Sequence, residues 1–412
     1  MTEEAEGMLV ARLGHRGDGV NAAGDVFVPG ALPGERVVGA VIEGRMIAPR
    51  IVAPSPDRVA PPCPHAGECG GCALQHAAPG FLAEWKRERV REALAARGIG
   101  GVALRETIVS PPRSRRRATL SARRTKKSVM LGFHARAEDR IVPIETCELA
   151  DPRIVAALEG LRALVPLVAS RKGEAKLAVT VSEAGLDVDL RQVKPLDGPL
   201  RARLAEIAAR EGWARLSHEG EALFMARPPA QDFDGLPVLP PPGSFLQATP
   251  QGEAALRAAV DEALGEARRV VDLFAGCGTF ALPLSRRAEV LAVESDAAAL
   301  AALDAAWRAA GGALRRLTTQ ARDLFRRPLT PEELRRFDAA VIDPPRAGAR
   351  AQAQAVAASG LRRVAMVSCD PGSFARDARI LIDGGFSLEW VQPVDQFLWS
   401  GHVELAAAFA RR

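Results

Sequence analysis

The sequence predicts an α/β protein: a Rossmann-like, doubly wound sheet over residues 241–412, behind an OB-like β-barrel at 1–60 and a central α+β segment at 61–240. Three observations carry this reading. From Gln251 to Arg412 short apolar runs alternate with Ala-rich helical stretches, as strands and crossover helices do in a parallel sheet. The run Leu236-Pro-Val-Leu-Pro-Pro-Pro242 punctuates the chain just before that alternation begins. Near the N-terminus, Leu9 to Val20, Val26 to Val28 and Ala31 to Val38 are short β-rich stretches parted by Gly, Asp and Pro turns, as in a small barrel. A chain of 412 residues is long enough for about three domains with substantial cores.

In chain order, the barrel is followed by a cysteine loop, Cys63-x5-Cys69-Gly-Gly-Cys72, with Cys147 far downstream. Phe81 to Arg97 reads as a charged amphipathic helix, and Asp151 to Ala169 as another opened by Asp-Pro. Leu177 to Val181 and Leu186 to Leu190 alternate as paired strands around the turn at Glu183-Ala-Gly185. The start Met1-Thr-Glu-Glu-Ala-Glu-Gly is acidic and lacks an apolar leader, and no stretch approaches a membrane span. A cytoplasmic, monomeric protein without membrane partners is therefore expected. Thiols stay reduced in that compartment, so the four cysteines read as ligands for zinc or for an iron-sulfur cluster rather than as disulfides.

Net charge is only +5, from 55 Lys+Arg against 50 Asp+Glu, but it is uneven. No acidic residue falls between Thr107 and Ala137, while Arg113, Arg115, Arg116, Arg117, Arg123, Arg124, Lys126 and Lys127 do. Such a run is either a solvated face or a phosphate-contacting surface.

The chemistry concentrates at strand ends. Val270-Val-Asp-Leu-Phe-Ala-Gly-Cys-Gly-Thr-Phe280 is a strand entering a Gly-rich turn, Val290 to Glu294 a second strand ending in a carboxylate, and Ala339 to Asp343 a third followed by Pro344-Pro345-Arg346. Glycines at 276 and 278 admit a ligand close to the backbone, and an acid ending the next strand suits ribose hydroxyls. Gly276 to Ala281 also matches the looser dinucleotide fingerprint of nicotinamide enzymes. However, Asp-Leu-Phe-x-Gly-x-Gly, then Glu, then Asp-Pro-Pro is the motif order of S-adenosylmethionine-dependent methyltransferases, which favours a class I, Rossmann-like methyltransferase domain. Cys369 follows the apolar strand Val364 to Val367 and precedes a helix whose dipole favours a thiolate, a place suited to a nucleophile. Glu404 stands in Ser400-Gly-His-Val-Glu404.

Taken in order, Ser244-Phe-Leu-Gln247, Asp272 to Gly278, Asp343-Pro-Pro-Arg346, Val367-Ser-Cys-Asp-Pro371 and His402-Val-Glu404 resemble the RNA 5-methyluridine methyltransferase family, nearest to its bacterial 23S ribosomal RNA branch. The resemblance covers nearly the whole chain. It implies a TRAM-type RNA-binding barrel at the N-terminus, an RNA-binding role for the central segment, and a [4Fe-4S] cluster on Cys63, Cys69, Cys72 and Cys147. It implies S-adenosylmethionine as cofactor, touched by Gln247, Phe274, Gly276, Thr279, Glu294, Asp323 and Asp343, with Arg346 near the uracil oxygen. Cys369 would add to uracil C6 and Glu404 would remove the C5 proton, most simply on 23S rRNA, with transfer RNA as the alternative. A non-catalytic iron-sulfur RNA-binding protein has no use for both Cys369 and Glu404. A methyltransferase acting on an exocyclic nitrogen needs no nucleophilic cysteine.

The chain departs from the family's pattern at Asp370, Thr249 and Leu398-Trp399-Ser400. Asp370 is expected to cap the helix after Cys369. Arg115 and Arg116 are expected to contact phosphates.

Overall fold

The computed structural model describes residues 7–126 and 128–411. The acidic start up to Glu6, and Lys127 of the basic run, lie outside the described residues.

The strands of the C-terminal sheet are read as near-continuous apolar runs because both faces are covered. The order runs Leu317–Ala321, Glu289–Glu294, Arg269–Leu273, Ala339–Ile342, Arg363–Ser368, Glu404–Ala410, Ser387–Asp395. The first five are parallel, and Glu404–Ala410 is antiparallel to both its neighbours. Successive residues divide between two cores. Val270, Val290, Ala292 and Val341 pack under the helices Pro250–Leu264 and Ala297–Ala309. Val271, Leu291, Val293 and Ile342 pack under Arg350–Ala357 and Pro371–Asp383. The chain leaves Arg269–Leu273 toward one edge and returns beside it at Ala339–Ile342. That reversal opens a crevice at the carboxyl ends of these two strands, where such sheets bind ligands.

Residues far away in sequence complete this unit. Ala103–Leu104 and Ile108–Val109 pair in parallel with Ser387–Asp395, and Val90, Leu94 and Ile99 join the second core from the helix Pro79–Ala95 onward.

A second sheet orders Ile141–Pro143, Val129–His134, Arg117–Arg124, Ala175–Ser182, Gly185–Arg191, Arg215–His218, Glu221–Met225. Ala175–Ser182 and Gly185–Arg191 form the expected hairpin. The expected helix over 151–169 is two pieces, Pro152–Ala156 and Leu158–Val168, with Asp151 capping the first through Arg153 N. Leu158–Val168 and Gly198–Arg210 cover the sheet's core.

The N-terminal sheet is six-stranded. Met8–Leu9 pairs with Arg36–Ile42 and Arg12–Leu13 with Gly19–Val20, so one short stretch supplies both edges and the sheet curls on itself. Among the described residues, no helix is long and apolar enough to cross a membrane.

Candidate active site

The antiparallel register pairs Val367 with Ala406 and Ser368 with Leu405. One step further, at the strand end, the two strands deliver Cys369 and Glu404 side by side. Glu404 is 4% exposed, and its carboxyl is pushed upward by burial and by Asp343. Asp343, ending the neighbouring strand, is raised by burial as well. With two carboxyls in one dry cleft, the second ionises reluctantly. Cys369 faces the same surroundings: burial first, then Glu404, Asp343 and Asp370, push its thiol up to about 11. The expected helix-dipole benefit is thus outweighed, and the thiol needs a proton acceptor.

Asp370 caps the helix Pro371–Asp383, accepting from Ser373 N at 2.8 Å, and faces Arg346 at 3.7 Å. Arg346 is largely exposed and leans to Asp370 rather than to Glu404. Thr249 also caps: its hydroxyl accepts from Gly252 N at the start of Pro250–Leu264 and meets Ser110 Oγ at 2.7 Å.

A hydrogen-bonded chain of amides joins the two carboxyls. Gln247 Nε2 approaches Asp343 Oδ2 at 3.4 Å, Gln396 Nε2 donates to Gln247 Oε1 at 2.5 Å and to Glu404 Oε2 at 3.1 Å, and Ala248 N donates to Gln396 Oε1 at 2.7 Å. Sequence reasoning missed Gln396, because a glutamine between Asp395 and Phe397 carries no spacing signal. It also missed the support beneath. Lys86 and Asp395 form an ion pair at 2.5 Å with both side chains buried. Lys86 Nζ also donates to Phe397 O, Asp395 accepts from Phe397 N, and Arg89 donates to Gly401 O.

The turn after Arg269–Leu273 shows a cradle for a ligand. Phe274 and Gly276 adopt positive φ, and a Cβ at Gly276 would meet open space. Gly278 lacks a side chain for another reason, since a Cβ there would strike Leu303. Glu294 ties the turn to the next strand, accepting from Gly276 N, Ser295 N and Asp296 N. Its Oε2 keeps a lone pair for a hydroxyl. Asp323, at the next strand end over, accepts from Phe325 N and Arg326 N. The half-exposed Phe325 ring lies 5.4 Å from that of Phe274, an aromatic edge the sequence did not single out. Thr279 is half-buried at the end of the turn. Beneath it all, Asp272 is fully buried, and desolvation raises its carboxyl well above the ordinary range.

Cys63, Cys69, Cys72 and Cys147 line one small cavity with His65 and Gln75. Burial pushes the Cys72 thiol up to about 12 and raises Cys69, a cost that bound cationic metal reverses. Ligands of one zinc sit about 2.3 Å from it and hence close together. Among the described residues, the metal-ligating atoms found mutually within 4.8 Å are instead those of His134, Asp139 and Glu174. Four thiols around one cavity offer a donor set for either zinc or an iron-sulfur cluster. The His134 group is itself occupied by protein cations, Arg123 and Lys176, paired to Glu174.

Of the basic run, Arg116 is not at the surface. It is 5% exposed, paired with Glu253, and donates to Gln247 O. It braces the site and leaves no charge for phosphate, which corrects the expectation for that residue. Arg113 and Arg123 are matched by Glu148 and by Asp139 and Glu174. Arg115 and Arg117 line a cavity of about 420 Å³ with Cys72, Cys147, Thr119 and Ser244. Arg117 stacks on exposed Phe245 at 4.3 Å and is pulled down to about 10 by burial and its arginine neighbours.

Residues 254–371 match the family model described as conserved hypothetical protein 95. An uncharacterized RNA methyltransferase of Mesorhizobium japonicum is 45% identical over 97% of this chain and 96% of its own length. The 23S rRNA (uracil(1939)-C(5))-methyltransferase of Alkalilimnicola ehrlichii is 32% identical over 98% of this chain and 96% of its own. The structure of Pyrococcus abyssi tRNA (uracil-54, C5)-methyltransferase in complex with S-adenosyl-L-homocysteine aligns at a TM-score of 0.77 and 21% identity, covering 99% of this chain and 100% of that one. That likeness shows the fold.

Proposed function

The chain belongs to the RNA 5-methyluridine methyltransferase family, and from that premise we propose that it methylates C5 of a uridine in RNA, using S-adenosylmethionine, through a covalent bond from Cys369 to C6. The observation that carries the reading is the strand register that sets Cys369 beside Glu404 at the crevice. Uracil C5 is too weak a nucleophile unaided. Addition of the Cys369 sulfur to C6 turns it into an enolate-like carbon. S-adenosylmethionine supplies an electrophilic methyl on a good leaving group. The Phe274-to-Thr279 turn, Glu294 and Asp323 would hold it, with Gln247 and Asp343 between it and the base. Glu404 then takes the C5 proton, and elimination frees Cys369. A raised Glu404 carboxyl suits this work, since a base tuned upward is a stronger proton acceptor near neutrality.

The RNA is assigned as 23S rRNA, because the relative alike across nearly the whole chain is named for that substrate. Arg115, Arg117 and the curled N-terminal sheet supply its binding face. The four cysteines are assigned a [4Fe-4S] cluster: anaerobically purified protein should be brown, with about four irons per chain. Stoichiometric zinc in colourless protein would exclude it.

The mechanism is tested by two variants on RNA from a strain lacking the gene. Cys369→Ala should bind S-adenosylmethionine yet form neither adduct nor 5-methyluridine. Glu404→Gln should transfer methyl and then accumulate a protein-RNA adduct that survives denaturing electrophoresis. Near-normal turnover by Cys369→Ala would end the covalent reading. Nucleoside mass spectrometry of 23S rRNA and tRNA from the same strain decides the RNA class.

A further inference from the structure

We infer that Gln396 is a positioning residue that locks the base Glu404 and the amide of Gln247 into one hydrogen-bonded frame, a reading that rests on Glu404 being the base. Its orientation is not arbitrary. The Ala248 N–H can be met only by an oxygen, so Oε1 is committed there at 2.7 Å. Both donors of Nε2 are then spent, one on Gln247 Oε1 and one on Glu404 Oε2. Gln247 must in turn present its oxygen to Gln396, which leaves its own NH₂ for Asp343 and the crevice. A single backbone N–H thereby sets the polarity of the whole row.

The frame is held from outside the crevice. Gln396 is 1% exposed, so water does not compete for its amide. The residues on either side are pinned: Asp395 by Lys86 and by Phe397 N, and Phe397 O by Lys86 Nζ. The groups facing Glu404 are Asp343 and Cys369 at the neighbouring strand ends and Arg117 from the central sheet. Burial and Asp343 favour the protonated acid, whereas Gln396 and Arg117 favour the carboxylate that can act as a base. Gln396 therefore does two things: it offsets part of the push toward the protonated acid at Glu404, and it aims Gln247.

Removing an N–H donor to a carboxylate raises its pKa, so the acid limb of the Glu404-dependent step moves to higher pH. A hydrogen bond to a charged group in a buried site is enough to move that limb by about one pH unit. The test uses the full-length protein and RNA from the gene-deleted strain. Gln396→Met keeps length without the amide. It should melt cooperatively, bind S-adenosylmethionine and form adduct, but its adduct-release rate should fall about tenfold at pH values below the limb and recover at high pH. Gln396→Glu, with the same shape, adds a third acid to the cleft and should move the limb further in the same direction, which keeps the idea testable if the Met variant does not fold. Release with the wild-type pH profile in a folded variant would overturn the inference. Failure of the wild-type protein to form any adduct would instead remove the covalent mechanism, and this inference with it.

Discussion

Asp272 shows how much of the site's electrostatics lies in single residues. Its carboxyl is fully buried, and burial and then Asp343 raise its folded pKa against the smaller pull of the Ala281 backbone N–H. A group whose folded pKa is raised binds its proton more tightly in the native state. Its contribution is fully present below the unfolded value, about 3.9, and is lost as pH rises through the folded value. Asp272→Asn should therefore flatten the decline of melting temperature as pH rises above about 4. An unchanged slope would mean that other carboxyls, Asp343 and Glu404 foremost, carry the whole dependence. Arg116 makes a second residue-scale case. Its bond to Glu253 is buried on both sides, and Arg257 still holds the other carboxylate oxygen at 2.9 Å, so Arg116→Ala leaves one buried oxygen unpaired and should cost about 1–3 kcal/mol in denaturant unfolding. Arg115→Ala should leave stability closer to wild type and flatten the salt dependence of RNA binding. A lowered salt slope for Arg116→Ala in folded protein would contradict its bracing role.

At the level of elements, local signals were legible and pairing across the chain was not. The runs at 290–293 and 364–367, and 270–273 apart from Asp272, became strands because a layer covered on both faces favours apolar residues at successive positions. Cys369, Glu404, Asp343 and Gln247 were legible through their motifs, and the structure gathers them at one crevice. Gln396 and Lys86 were not, since a glutamine and a lysine acquire meaning only from the partners the fold delivers. Ala103–Leu104 likewise joins the C-terminal sheet only through a strand nearly 300 residues away in sequence, a pairing no local pattern announces. Thr249 and Asp370, two departures from the family's usual residues, both cap the helices that follow them. Asp370→Ala should cost about 1 kcal/mol of stability through the lost cap. Asp370→Asn, which still accepts from Ser373 N, should retain most of it. If both variants lose equal stability, the cap is not what Asp370 contributes.

Across the whole molecule, the cysteine loop and the loop before Glu404 are one mechanical unit. Leu74, two residues beyond Cys72, donates its N–H to Trp399 O at 3.0 Å. Leu74, Leu82, Leu398 and Trp399 share a small core with Leu13 and Leu32 of the curled sheet. Arg115 spans the same gap, with Cys72 and Cys147 on one side and the Phe397 ring 5.9 Å away on the other. Lys86 and Arg89 hold the loop from the helix that follows the cysteines. On the proposed reading, a metal held by the four cysteines would tighten the loop before Glu404, while the turn at 274–279 belongs to a separate part of the sheet. Cys72→Ser should lose the metal, and amide hydrogen exchange should then rise at 397–403 but not at 270–279, with S-adenosylmethionine affinity retained. The expected contrast lies in local opening rather than in global stability, since exchange reads regions one at a time. Equal exchange at 397–403 with and without metal would confine the cysteine site to shaping the RNA-binding face, and uniform loosening of both segments would make it a general staple of the fold.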